Sequence, residues 1–191
     1  MIQFLQHLVV QTVVDPEGAA RRVLALNLTA GQGAMALALA SILNGITLFV
    51  ATELDPTDES LKLLAGVSPI ILSVLFFVVI LFSAGFLTFV SKVIDGQAEF
   101  QSMLSLLAWL QFLRVGLQIF GIVGSLLLPS LAAMLTFLAG FYGLWILVQF
   151  IKVANGFDTA GKAVAIIGAA ILGVTVVFFI LLALAGVPTT G

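Results

Sequence analysis

Residues 102–151 read SMLSLLAWLQFLRVGLQIFGIVGSLLLPSLAAMLTFLAGFYGLWILVQFI, 50 residues with a single charge, Arg114. A helix needs about 20 apolar residues to cross a bilayer core. This run is therefore too long for one crossing and long enough for two. Pro129 marks the division, because proline suits the first turn of a helix and breaks an interior. Gly121, Gly124 and Ser125 lie just before it. The run predicts a tight helical hairpin turning near 125–130, with spans at about 102–124 and 130–151. The runs are long and continuous, without the alternation that a barrel strand requires.

Three more uncharged runs extend the pattern, at 23–52, 63–90 and 163–191. They predict spans near 33–51, 69–91 and 163–186. Ser68-Pro69 reads as an N-cap followed by a first-turn proline. Thr57–Ala65 is expected to form a short surface helix. Composition agrees with this reading: 62% of the 191 residues are hydrophobic and 8% are charged, against about 25% charged in soluble domains. Mean hydropathy is +1.28. The expected fold is an all-α integral membrane protein. Five transmembrane helices are preceded by an amphipathic interfacial N-terminal helix. Residues 1–30 form a cytoplasmic interfacial segment and 31–191 the five-helix transmembrane domain.

Within the N-terminal segment, Phe4, Leu5, Leu8, Val9, Thr12 and Val13 recur at helical spacing. Gln3, Gln6, His7 and Gln11 fall largely on the other side. The start lacks the basic residues and cleavage pattern of a signal peptide. Asp15-Pro16-Glu17 reads as a fresh helix start that carries Arg21 and Arg22.

The basic residues set the orientation. With five spans, Arg21, Arg22, Lys92, Lys152 and Lys162 share one side, and Lys62 stands alone on the other. The N-terminus and the 92–101 and 152–162 loops are expected to be cytoplasmic, and the C-terminus periplasmic.

Three short motifs carry a family resemblance: Gly96-Gln97-Ala98-Glu99-Phe100, Ala108-Trp109-Leu110-Gln111-Phe112 and Asn155-Gly156-Phe157. With the early Asp15-Pro16 and the five-span layout, the chain resembles bacterial members of the Yip domain family. These are five-span membrane proteins related to eukaryotic Ypt/Rab-GTPase-interacting proteins. Asp95-Gly96 stands where many members have a glycine pair, and Ala98 where they have a later glycine. The resemblance implies a membrane scaffold or trafficking-type adaptor for the eukaryotic members and little about activity for the bacterial ones; the expected role here is a scaffold or adaptor in a bacterial inner membrane.

Arg114 is the most informative residue for chemistry. A charge near the bilayer centre costs about 2.5–3.5 kcal/mol on insertion scales, and none of the expected spans contains an Asp or Glu. Gln111, Arg114 and Gln118 share one helix face, expected to point into the bundle or at a partner. This intramembrane polar face is either structural or a site for an anion, a lipid phosphate or a partner's carboxylate. Gly161, Ala165, Ala169 and Gly173 form a small-residue ribbon, as do Ala132, Thr136 and Gly140, expected to pack helices within the bundle or, in the sharper reading, to make an oligomer contact. Tyr142, Thr136 and Thr175 are expected to be packing hydrogen bonders. Gln149 should be interfacial, Asp158 the cap of the last span, and the phenylalanines of the second span lipid-facing.

No cysteine and a single histidine, His7, exclude disulfides, thiolate chemistry and a multi-histidine metal site. Net charge of -2 argues against nucleic acid. There is no nucleotide loop and no hydrolase pattern, so no enzyme, metal or cofactor is expected. The expected partners are the lipid bilayer, other integral membrane proteins, or the chain itself. Two further readings stand beside the scaffold: a small transporter or lipid- and anion-binding protein using Arg114, and an accessory subunit of a larger membrane complex.

Overall fold

The computed structural model describes residues 2–54 and 66–184. All regular structure among them is helical: α1 (Ile2–Val14), α2 (Pro16–Ala25), α3 (Ala30–Leu54), α4 (Pro69–Val93), α5 (Phe100–Leu127), α6 (Pro129–Asn155) and α7 (Ala160–Leu184). By length and composition α3, α4, α5 and α6 can each cross a membrane, and the 160–173 part of α7 is a shorter apolar helix. The surface helix expected over Thr57–Ala65 lies outside the described residues.

Local chemistry sets the helix boundaries. Asp15 caps α2 by accepting a hydrogen bond from the Gly18 N–H at 3.0 Å, with Pro16 in the first turn. Ser68 caps α4 by accepting from the Ile71 N–H at 3.3 Å, ahead of Pro69. Pro129 opens α6 one residue after α5 closes, so Leu128 alone connects the hairpin. That turn is tight because the facing side chains are small. A Cβ on Gly124 would lie 3.1 Å from the Ala132 Cβ, and one on Gly121 would lie 3.3 Å from Thr136 Oγ1. α7 begins at Ala160, so Thr159 rather than Asp158 directly precedes it. Asp158 is exposed and makes no capping bond among the described residues, which corrects that expectation.

α3 packs against α4 and α5. It meets α5 along a seam that begins at Gly33, whose missing side chain leaves room for Leu104. It meets α4 where Gly45 lies against the first turn of that helix. A Cβ at Gly45 would fall 2.8 Å from the Pro69 carbonyl oxygen and 2.8 Å from the Ser73 nitrogen, besides touching Ser73 Oγ. The main core fills the space between α3, α4, α5, α6 and α7 with Leu37, Ala84, Leu104, Ile151, Ala163 and Ile166. A second core joins α1 and α2 to α5 and α6 through Leu8, Ala20, Val23, Leu106, Ile146 and Phe150.

α6 is two-sided along its length. Its half nearer Asn155 buries Ile146, Val148, Phe150 and Ile151, whereas its first half exposes Leu131, Met134, Phe137, Leu138 and Phe141. Gln149 belongs to the buried half, three residues before Lys152.

Candidate functional site

Two polar constellations stand out against this apolar frame. The first lies within the spans. Asn44, fully buried on α3, donates through Nδ2 to the Ala40 carbonyl at 2.8 Å and to the Gln111 carbonyl at 3.3 Å. It therefore ties α3 to α5. Gln111 is 8% exposed. The Oδ1 of Asn44 and the Oε1 atoms of Gln111 and Gln118 are buried without a hydrogen-bond partner, as is the Ser41 hydroxyl. A buried acceptor without a donor costs about 1–3 kcal/mol, so this seam holds polarity that close packing alone would not select.

Arg114 stands 14 residues after the start of α5, about 21 Å along it and near its middle. The structure divides the expected face. Three residues on a helix turn through 300°, so Arg114 leaves the direction of Gln111 by about 60°. Gln111 is buried and Gln118 half-buried, while Arg114 lies at the rim and is exposed. Its guanidinium carbon sits 5.4 Å from the ring centre of Phe76 on α4. Among the described residues it has neither an ion pair nor a hydrogen bond to protein. The ring offers a cation–π contact of about 0.5–2 kcal/mol, less than the roughly 2.5–3.5 kcal/mol of placing the charge at this depth.

The small-residue ribbon also divides. Gly161, Ala165 and Ala169 are exposed, while α7 turns Ala163, Ile166, Ile167 and Ala170 inward. Gly173 meets another helix directly: the Phe86 ring of α4 occupies the place its Cβ would take. Phe86 is thus a packing residue, not lipid-facing bulk, whereas Phe82 and Phe89 are exposed. Thr175 is exposed, and Thr136 faces Gly121. Tyr142 makes an inter-helix hydrogen bond, donating to the Val13 carbonyl of α1.

The second constellation joins the motif-bearing loops on the side of Lys92, Lys152 and Lys162. Asn155 is 2% exposed. Its Nδ2 donates to the Ile151 carbonyl at 2.8 Å, and its Oδ1 accepts from the Ala98 N–H at 3.4 Å. Gly96 is required there, because a Cβ would run into Asn155 Oδ1 and lie 2.8 Å from the Ser91 carbonyl oxygen. Asp95, at the first position of the expected glycine pair, adopts φ +59°. This left-handed conformation favours glycine and is tolerated by Asp. Gly156 closes α6 at φ +66°, and the Phe157 N–H returns to the Lys152 carbonyl at 3.0 Å. Lys162 places its ammonium 5.3 Å from the Phe157 ring centre.

The N-terminal helices complete this side. Lys152 pairs with Glu17 at 2.7 Å, and Glu17 also takes Arg21 at 3.2 Å. Trp109 Nε1 donates to Thr12 Oγ1 at 3.1 Å. Among the described residues, no group of three or more His, Cys, Asp or Glu is placed to hold a metal ion. His7 is exposed on α1.

The sequence reading singled out the Gln111 face and the loop motifs but missed Ser41, Asn44 and Gly45. Their signal was a lone Asn-Gly pair inside an otherwise apolar run. The family model described as the Yip1 domain matches residues 10–183. No curated protein and no solved structure matches the chain.

Proposed function

Because the chain belongs to the Yip1 domain family, and carries several helices apolar enough to cross a membrane, we propose that it is a five-crossing scaffold or adaptor for other membrane proteins, without catalysis. In this reading α3 to α7 are the crossings, and residues 31–191 form the transmembrane domain. Residues 1–30 lie on the cytoplasmic side of a bacterial inner membrane, and the C-terminus is periplasmic. The lysine and arginine distribution supports that orientation.

The observation that carries the reading is the clamp of Asn155 onto the Gly96–Ala98 loop. It binds two inter-span loops into one ordered surface, where Asp95, Gln97, Glu99, Gly156 and Asp158 are exposed. A loop that only connected two spans would not need a buried asparagine to shape it. Photo-crosslinking from Gln97 in native membranes tests the proposal. Discrete protein adducts, lost when Asn155→Ala loosens the clamp, are the expected result. Absence of any protein adduct at Gln97 would sink the scaffold reading. A periplasm-active reporter fused at Gly191 should be active, and one fused after Lys92 inactive.

Arg114 favours a second reading, in which the Gln111–Arg114–Gln118 region holds a lipid phosphate, another anion or a partner's carboxylate. Its support is a mid-helix guanidinium whose neighbour is an aromatic face rather than an acid. An accessory subunit would use the same side for a partner's acid. On α7, exposed Gly161, Ala165 and Ala169 would suit packing against such a partner, while Gly173 packs within the chain.

A further inference from the structure

The two halves of α1 differ in polarity. Gln3, Gln6 and His7 are exposed in its first half, alongside Phe4 and Leu5. In its second half the exposed residues are Val9, Val10, Val13 and Val14, while Thr12 is fully buried and Gln11 partly so. The half that follows Leu8 therefore shows its surroundings mainly apolar side chains, with Gln11 only partly exposed.

The contacts of α1 report its depth. Tyr142, which bonds to Val13, is ten residues from Lys152 along α6, or about 15 Å. Side chains on a helix tilt toward its N-terminus, and for α6 this directs Tyr142 away from Lys152. Trp109, which bonds to Thr12, is nine residues into α5, or about 14 Å. Lys152, Glu17, Arg21 and Arg22 mark the charged boundary on this side. The end of α1 thus lies well below that boundary, beside residues in the middle parts of two apolar helices. Asp15, which follows, directs its carboxylate onto the Gly18 N–H at the start of α2, where the helix dipole favours negative charge. The chain then returns to the boundary at Glu17.

We infer that the second half of α1 is immersed in the acyl chains of the leaflet adjoining the 92–101 and 152–162 loops. It enters obliquely from a polar start instead of lying flat at the headgroups. Its exposed valines are a lipid-contacting surface, and the occupant of that surface is hydrocarbon. Val9, Val10, Val13 and Val14 stand on a helix that Trp109 of α5 and Tyr142 of α6 tie to two apolar helices, and none carries a group that a partner's polar side chain would recognise. The inference rests on the membrane-spanning reading of α4 to α6.

The chain has no cysteine, so a nitroxide can be placed at one position at a time. Val10→Cys, Val14→Cys, Arg22→Cys and, as a marker for the middle of α4, Val78→Cys would be labelled. The full chain would be reconstituted in phosphatidylcholine–phosphatidylglycerol vesicles. Collision with oxygen reports hydrocarbon, and collision with a water-soluble nickel complex reports water. Val10 and Val14 are expected to resemble Val78, with oxygen access high and nickel access several-fold below that at Arg22. Nickel access at Val10 and Val14 equal to that at Arg22, with Val78 shielded, would overturn the inference alone. Nickel access at Val78 as well would overturn the spanning reading, and the inference with it. Low access to both reagents at Val10 and Val14 would mean that protein covers the valines, and would overturn the assignment of lipid as occupant.

Discussion

Gly45→Ala tests whether the closest approach of α3 to α4 sets the geometry of the bundle. The added methyl would lie 2.8 Å from the Pro69 oxygen and 2.8 Å from the Ser73 nitrogen. Both are backbone atoms and cannot rotate away. Carbon contacts are most favourable near 3.5–4.0 Å, so the helices must part by roughly 0.5–1 Å, forfeiting a quarter to a half of each well along their contact. Overpacking of this kind costs about 1–3 kcal/mol. Alanine is also the better helix former, by about 0.8–1.0 kcal/mol in water, which acts in the opposite direction. A second variant removes that ambiguity. Gly116→Ala, on α5, adds the same methyl with nothing within 4 Å of it. The propensity gain is common to both, so their difference isolates the overpacking: Gly45→Ala should be less stable than Gly116→Ala by about 1–3 kcal/mol. Reversible unfolding in mixed micelles, followed by circular dichroism over a denaturing-detergent titration, measures that difference. Equal midpoints for the two variants would refute the argument, since they would show that α3 and α4 do not meet at Gly45.

Asn155→Ala removes the acceptor for the buried Ala98 N–H and should cost about 1–3 kcal/mol; limited proteolysis should cut the 94–99 loop faster than in the parent. Gly173→Leu must displace the Phe86 ring and should lower the thermal midpoint in detergent, whereas Ala169→Leu, at an exposed position, should leave it nearly unchanged; equal losses would show that both positions are packed. Arg114→Leu gives up a cation–π contact of about 0.5–2 kcal/mol and relieves a charge costing about 2.5–3.5 kcal/mol, so detergent stability should hold or rise. If Arg114 serves an anion, the same variant loses co-purified phospholipid or partner by mass spectrometry, and Arg114→Lys retains only part of it because the bidentate fork is gone.

Much of the helical frame was legible before any coordinates. Pro129, Ser68-Pro69 and Asp15-Pro16 act through local backbone chemistry, and the helices start where those residues place them. Span length follows from bilayer thickness and needs no tertiary information. The loop motifs were legible as motifs, but their joint purpose was not. Nothing in the sequence across that separation of 57 positions indicates that the Asn155 carboxamide reaches the Ala98 N–H.

What the sequence by itself determined was therefore the class, the helix starts at Pro16, Pro69 and Pro129, and the candidate polar residues. Each of these depends on a residue's own chemistry or on neighbours within a turn or two. Tertiary structure decided which face of each helix meets another. In an apolar span the exposed and buried faces have nearly the same composition, because lipid and protein interior are equally oily. Hydrophobic periodicity, which separates inside from outside in water, is then uninformative. For that reason Gly173 packs against Phe86 while Ala165 and Ala169 on the same ribbon are exposed. Arg114 likewise reaches the rim beside Phe76 while Gln111 is buried against α3. The same physics hid the packing of α1; the hydrogen bonds of Thr12 and Val13 to Trp109 and Tyr142, formed only in the folded chain, fix it against α5 and α6.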